Sequence, residues 1–195
     1  MKSLLLVTIF FLLTEPLFSQ EWTDEEKESA NTAQDIAGLN SVEKEVIMYI
    51  NLCRMYPESF ADNEVETYNG IPGIKDKAFK KYKASLLKDL RNREACDPLE
   101  AAKPLIDDAK CFANELSKSN RVGHKRSICR ERKYAECLSF GSMTARQIVL
   151  EWLIDSGIAT LGHRKNCLNS NYNRSGISIA PHASYGSCAV AEFGE

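Results

Sequence analysis

The chain contains three histidines, which are the side chains best suited to bind a metal ion or exchange a proton near neutral pH. The acidic residues between His124 and His163 in the sequence include Glu136 and Asp155. Two imidazoles with two carboxylates suit an acid–base cluster or a divalent-metal site, in which the histidines would be the metal ligands. The spacing alone does not distinguish such a site from a purely structural role of the same histidines and carboxylates. The third histidine, His182, is predicted to be a loop residue at the end of a strand.

Amphipathic helices are expected to position these residues. Asn40 and Glu43 form a capping box that predicts a helix start, and Tyr56-Pro57 predicts its end. In three further segments apolar residues recur at helical spacing: 79–90, about 104–116, and the stretch from Thr144 through Trp152 to Gly157. Asp155 is therefore expected near the end of the last helix.

The last forty residues have a different pattern. Gly176 to Ala180 and Cys188 to Phe193 are short runs of β-branched and apolar residues, with Tyr185-Gly186 in the turn region between them. This pattern predicts a hairpin. Because helices come first and strands cluster late, the sequence predicts an α+β class with helices packed on a small sheet.

The first residues are typical of an exported protein. Basic Lys2, an apolar run from Leu4 to Leu13 and a break at Pro16 have the layout of a secretory signal peptide. The alternative is a membrane anchor, but a spanning helix needs about twenty apolar residues, roughly twice that run. We expect secretion or export to a periplasm, with no stable membrane insertion after cleavage. The predicted organisation is a signal peptide over 1–19, a flexible acidic leader over 20–40 and one domain over 41–195.

The composition is that of a globular protein. Hydrophobic residues make up 44% of the chain and charged residues 27%, and the formal net charge is −2. A large basic excess would favour nucleic acid as a partner, and this chain has none. We therefore expect an extracellular partner or ligand that is not a nucleic acid.

Seven cysteines indicate disulfide bonding in an oxidising compartment. The number is odd, so at least one is free or pairs between chains, and Cys53 is the candidate because it falls on the apolar side of a helix. Six cysteines allow about fifteen connectivities. A zinc ribbon is excluded because the sequence has no CxxC. Among these, the predicted disulfide pairs are Cys129 with Cys137, Cys167 with Cys188, and Cys96 with Cys111.

Several short motifs follow one another in a recognisable order. They are Gly123-His124, Ala135-Glu136-Cys137, Trp152-Leu153-Ile154-Asp155, Gly162-His163-Arg164-Lys165-Asn166 and Glu192-Phe193-Gly194. In this order they resemble the CAP superfamily, which contains cysteine-rich secretory proteins, antigen 5 and plant pathogenesis-related proteins. The shorter bacterial exported members are the most similar.

The resemblance implies a three-layer αβα sandwich, a single domain of the SCP-like type, with a surface cleft that holds two histidines and two acids. His124 and His163 match the cleft histidines, and Glu136 matches the glutamate of a Gly-Glu-Asn motif that is altered here. Asp155 takes the place of the second glutamate. Glu151, one helical turn earlier on the same side, is a rival for that role.

Three functions compete on this basis. The first is a binding protein whose histidines hold zinc weakly, with a lipid or protein as a further ligand, as the resemblance implies for some members. The second is a zinc-dependent or acid–base hydrolase that uses the same cleft, although the sequence has no HExxH or GxSxG motif. The third is a structural or adhesive extracellular domain. We favour the binding protein; apart from zinc, no cofactor is expected.

Overall fold

The computed structural model describes residues 21–73, 76–131, 133–142 and 144–195. The predicted signal peptide lies outside the described residues. None of the helices within these ranges is both long and apolar enough to cross a membrane. The helices are α1 (Asp24–Ala30), α2 (Ser41–Met55), α3 (Pro57–Phe60), a π-helical turn (Ala61–Val65), α4 (Phe79–Leu90), α5 (Lys103–Ser119), α6 (Ala145–Ile154) and α7 (Gly162–Cys167).

One mixed sheet of four strands lies at the centre. The strands are β1 (Glu100–Ala101), β2 (Ala135–Phe140), β3 (Arg174–His182) and β4 (Gly186–Gly194), in the order β1-β3-β4-β2. Short β1 runs parallel to β3, whereas β3, β4 and β2 are antiparallel to their neighbours. The predicted hairpin is confirmed as β3 and β4, and the predicted α+β class is confirmed.

Helices cover both faces of this sheet because side chains alternate along its strands. On β4, Val190 packs with Phe112 and Leu116 of α5, whereas Ala191 packs in the larger core cluster with α2 and α6. Helix α5 approaches β3 so closely that a Cβ at Gly176 would overlap the backbone of Leu105. The arrangement is a three-layer αβα sandwich.

The prediction of a flexible leader is wrong for residues 21–40. Thr23 and Glu26 form a capping box that starts α1. Ala30 and Ala33 are fully buried in the core, and the indole of Trp22 donates a hydrogen bond to Glu64 over 2.7 Å. The acidic composition indicated solvent exposure, but most of the few apolar residues among the acids pack against the core.

The three predicted disulfides are also wrong. All seven cysteines lie in the described ranges, and two of them form a disulfide, Cys111–Cys129, with the two Cα atoms 6.0 Å apart. This bond removes the partners proposed for Cys96 and Cys137. Cys167 and Cys188 are free because they lie in the core clusters on opposite faces of the sheet. The free cysteines are Cys53, as predicted, together with Cys96, Cys137, Cys167 and Cys188.

Gly176→Ala is expected to destabilise the protein strongly. The added Cβ would overlap backbone atoms of Leu105 and Ile106, which cannot rotate away, so α5 would have to move off the sheet. We expect a loss of at least about 2 kcal/mol in the free energy of unfolding, measured in urea. Gly194→Ala is the matched control, since its Cβ meets Tyr134 at an ordinary 3.5 Å. Equal stability of the two variants would contradict the close approach of α5.

Candidate functional site

His124 is held by Glu136. The His124 Nδ1 and Glu136 Oε1 atoms lie 2.6 Å apart. Glu136 is on β2 and its side chain is fully buried, whereas 45% of the His124 side chain is exposed. The carboxylate therefore orients a ring whose other edge faces the surface.

His163 is held in the same way by Asp155. The His163 Nδ1 and Asp155 Oδ1 atoms lie 2.8 Å apart, and the other carboxylate oxygen accepts the backbone N–H of His163 over 2.9 Å. Asp155 is the C-cap of α6 and has the left-handed backbone conformation, with φ 55°. This conformation ends α6 and places the carboxylate at the start of α7, within hydrogen-bond distance of His163.

The four predicted cleft residues come together. The rings of His124 and His163 lie 6.4 Å apart between centroids and are inclined by 31°. Both Nδ1 atoms face carboxylates, and neither Nε2 atom makes a hydrogen bond to a residue that the structure describes. The predicted role of His182 outside the cleft agrees with its position, but it is the last residue of β3 rather than a loop residue, with Nε2 3.0 Å from the carbonyl of Arg121.

Glu151 does not replace Asp155. Its Oε2 atom accepts hydrogen bonds from the hydroxyls of Ser139 and Ser142, over 3.1 Å and 2.5 Å. Burial raises the pKa of Glu151 above its ordinary value, although these two bonds oppose the shift. Glu151 therefore belongs to a neighbouring cavity, and Asp155 is the acid that holds His163.

Arg126 was missed by the sequence analysis, and it organises the acidic side of the cleft. Its guanidinium bonds to Glu136 and Glu192, each over 2.5 Å, and to Asp108 over 2.9 Å. Only 4% of its side chain is exposed, and its charge lies 4.4 Å from the centre of the Phe112 ring. The sequence contains a signal for this role of Arg126. Arg126 follows His124 by two residues, and Glu192 is an acid within an apolar strand.

The strand register places Glu136 directly opposite Glu192, and both side chains are fully buried. Burial, followed by the hydrogen bond and charge of Glu136, raises the pKa of Glu192 well above its ordinary value. Burial also opposes ionisation of Glu136, but hydrogen bonds to three neighbouring side chains and the charge of Arg126 lower its pKa. These opposite shifts favour ionisation of Glu136 and protonation of Glu192.

The loop that carries His124 and Arg126 is anchored by Glu115 of α5. Its carboxylate accepts the backbone N–H groups of residues 127, 128 and 129 over 2.6 to 2.9 Å and pairs with Arg121. Burial alone would raise the pKa of Glu115, but these backbone bonds and Arg121 hold it below its ordinary value. The Cys111–Cys129 disulfide ties the same loop to the same helix.

Ala135-Glu136-Cys137 lies on β2 and contacts α7. The Cys137 thiol lies 3.7 Å from the carbonyl oxygen of His163. Asn166 donates a hydrogen bond to the backbone carbonyl of Glu136 over 3.1 Å. An asparagine from α7 therefore links the two halves of the cleft.

The sequence matches no known protein family and no curated protein. Among solved structures, it is similar to an outer surface protein from Borrelia burgdorferi. The two share 21% identity with a TM-score of 0.42, over 63% of this chain and 96% of that protein. Within the described part of this chain, no group of three or more histidine, cysteine, aspartate or glutamate residues is placed to hold a metal ion.

Glu192→Gln tests the charge state of the buried pair. A carboxyl whose pKa is higher in the folded protein stabilises the fold below its unfolded pKa, and that stabilisation is lost as the pH rises toward the folded pKa. Glutamine is neutral at every pH, so Glu192→Gln is expected to equal or exceed the wild type in Tm at about pH 8, with an advantage that grows up to about pH 9.

The matched control is Glu136→Gln, which removes the charged member of the pair and leaves Arg126 with a neutral neighbour. It is expected to lower Tm across the same pH range, since a buried ion pair broken on one side typically costs about 3–5 kcal/mol. A lower Tm of Glu192→Gln than of the wild type at about pH 8 would show that Glu192 is ionised in the fold.

Proposed function

We propose that the chain is an exported CAP-type binding protein whose cleft holds a divalent cation, zinc, through the Nε2 atoms of His124 and His163. One observation carries the proposal: each histidine has a buried carboxylate on Nδ1, at 2.6 Å and 2.8 Å. Histidines that bind metals donate the other ring N–H to such a partner, which fixes the tautomer and leaves a lone pair on the ligating nitrogen.

The residues fit a weakly held metal. Zinc in proteins takes nitrogen, sulfur or oxygen ligands and is usually four-coordinate, so two imidazoles would leave positions for water or for a bound ligand. When bound, the cation would supply a positive charge at the mouth of the cleft. Glu136 and Asp155 would orient the rings, and Arg126 would balance the charge of Glu136.

Binding is better supported than hydrolysis. A hydrolase that used a carboxylate as its general base would need a carboxylate oxygen free to reach the reacting water. Glu136 uses one oxygen for His124 and the other for Arg126, and Asp155 uses both for His163. Both carboxylates therefore position the imidazoles. Catalytic zinc sites also have three protein ligands, one more than this cleft offers.

Secretion or periplasmic location belongs to the same proposal. The Cys111–Cys129 bond is the kind of cross-link that persists in oxidising compartments, and it anchors the loop that carries His124. The predicted signal peptide supports the same location. A lipid or protein is the expected further ligand.

Calorimetric zinc titration of residues 21–195 tests the proposal. We expect saturable binding of one zinc ion that is lost in a His124→Ala/His163→Ala double variant. Because protons compete with zinc for the neutral imidazole, binding should weaken as the pH falls. His182→Ala is the matched control, and it should bind zinc like the wild type because His182 lies outside the cleft.

Absence of zinc binding by the folded wild type would contradict the proposal, as would undiminished binding in the double variant. A double variant that loses Tm but keeps its zinc affinity would favour the structural function, in which the buried network only holds the cleft walls together.

A further inference from the structure

Cys137 and Cys167 meet beside the cleft, although they are far apart in sequence. Cys137 is on β2, and its thiol faces α7, 3.7 Å from the carbonyl oxygen of His163 and 3.8 Å from the side-chain nitrogen of Asn166. Cys167 is the last residue of α7. It follows His163 by four residues, and residues at that spacing lie one above the other on the same side of a helix. Helix α7 therefore brings the second thiol to the first.

The two thiols are in direct contact. The Cys137 thiol is hydrogen-bonded to the Cys167 thiol, and both residues are fully buried. The sulfur of a thiol is a weak donor and a weak acceptor, so the contact is weak as a hydrogen bond. A covalent bond between the same two sulfur atoms would join side chains that already touch, and it would leave the packing of α7 on β2 in place.

Cys53 of α2 is the rival partner for Cys167. It is fully buried in the same core cluster, and the neighbouring Arg54 donates a hydrogen bond to the backbone carbonyl of Cys167 over 3.0 Å. Cys53 and Cys167 lie close enough for the charge of one thiolate to act on the other. The thiol of Cys137, in contrast, is hydrogen-bonded to that of Cys167. The contacts therefore favour Cys137 over Cys53 as the partner.

Burial determines when these thiols can react. It raises the pKa of Cys137 well above its ordinary value, and the contact with Cys167 raises it further. The thiolate is the form that attacks a disulfide, and the fold shields both sulfur atoms from a reagent. A bond between them would therefore form while the chain folds, before β2 and α7 enclose the two sulfurs. The same burial would then protect the bond from reductants.

The oxidant is a disulfide of the compartment to which the protein is exported, either on a protein or in a small molecule. One cysteine thiolate attacks a sulfur of this donor disulfide and displaces a thiolate. The second cysteine thiolate attacks the resulting mixed disulfide at the sulfur of the first and displaces the other donor thiolate. The pair of cysteines loses two protons and two electrons, and the donor is reduced to two thiols.

We propose that the exported protein carries a second disulfide, Cys137–Cys167, which forms as the chain folds. It joins the residue that follows Glu136 on β2 to α7, the helix that carries His163. The two parts of the cleft are then linked by a covalent bond as well as by the hydrogen bond of Asn166. This inference rests on the export that is part of the proposed function, and it does not depend on zinc.

Oxidative refolding of residues 21–195 tests the pair. The reduced, unfolded chain is refolded in a mixture of reduced and oxidised glutathione, its remaining thiols are alkylated in guanidinium, and its peptides are mapped by mass spectrometry without reduction. We expect two cross-links, Cys111 with Cys129 and Cys137 with Cys167. Alkylation is expected at the other cysteines, which are Cys53, Cys96 and Cys188.

Cys137→Ala and Cys53→Ala are matched variants, since each removes one buried thiol. Cys137→Ala is expected to lose the second cross-link and to lower the Tm by about 5–10 °C, because the unfolded chain is no longer restricted by the bond. Cys53→Ala should keep both cross-links. When the wild type and Cys137→Ala are refolded with a reductant instead, the difference in Tm should shrink to the effect of the missing sulfur atom.

The proposal is overturned if the refolded wild type is alkylated at both Cys137 and Cys167, or if Cys167 is cross-linked to Cys53. It is also overturned if the difference in Tm between the wild type and Cys137→Ala is the same with and without the reductant. None of these outcomes bears on the zinc titration, because the proposed metal ligands are histidines and the refolding is carried out without metal.

Discussion

The guanidinium of Arg126 lies between two buried glutamates that the register of β2 and β4 places opposite each other. Two ionised carboxylates in that position would repel in a medium of low dielectric constant. The positive charge of Arg126 and the raised pKa of Glu192 relieve this repulsion, and Glu136 faces His124. The position of the first cleft histidine therefore depends on a network that is almost entirely buried.

The second histidine depends on backbone geometry. Asp155 ends α6 in the left-handed conformation and binds both the ring and the backbone N–H of His163. Arg164, the next residue, is buried and donates to the carbonyls of Leu153 and Ile154, so α7 is fixed to the end of α6. Glu136 on β2 and Asp155 at the end of α6 thus hold the two imidazoles independently of each other. Asn166 of α7 links the two parts through its hydrogen bond to the backbone of Glu136.

Local patterns predicted what depends on nearby residues. The hairpin, the capping box at Asn40 and the helix that carries Trp152 follow from spacing, and motif order placed His124 and His163 in one cleft. The pairing of β2 with β4 joins residues far apart in sequence, so the role of Arg126 and Glu192 could not be read from either segment. The disulfide predictions are wrong for a related reason, because two cysteines can pair only if the fold brings them to the same face of the sheet. The contact of Trp22 with Glu64 also depends on distant residues meeting.

The central claim is that buried carboxylates hold both cleft histidines with the proton on Nδ1 and the lone pair on Nε2. Long-range ¹H–¹⁵N correlation spectra of the imidazole rings, recorded near pH 8, measure this directly. With only three histidines in the chain, His182 is an internal reference, because its Nε2 faces a carbonyl and must carry the proton. The account predicts the Nδ1–H tautomer for His124 and His163 and the Nε2–H tautomer for His182. A proton on Nε2 of either cleft histidine would contradict it.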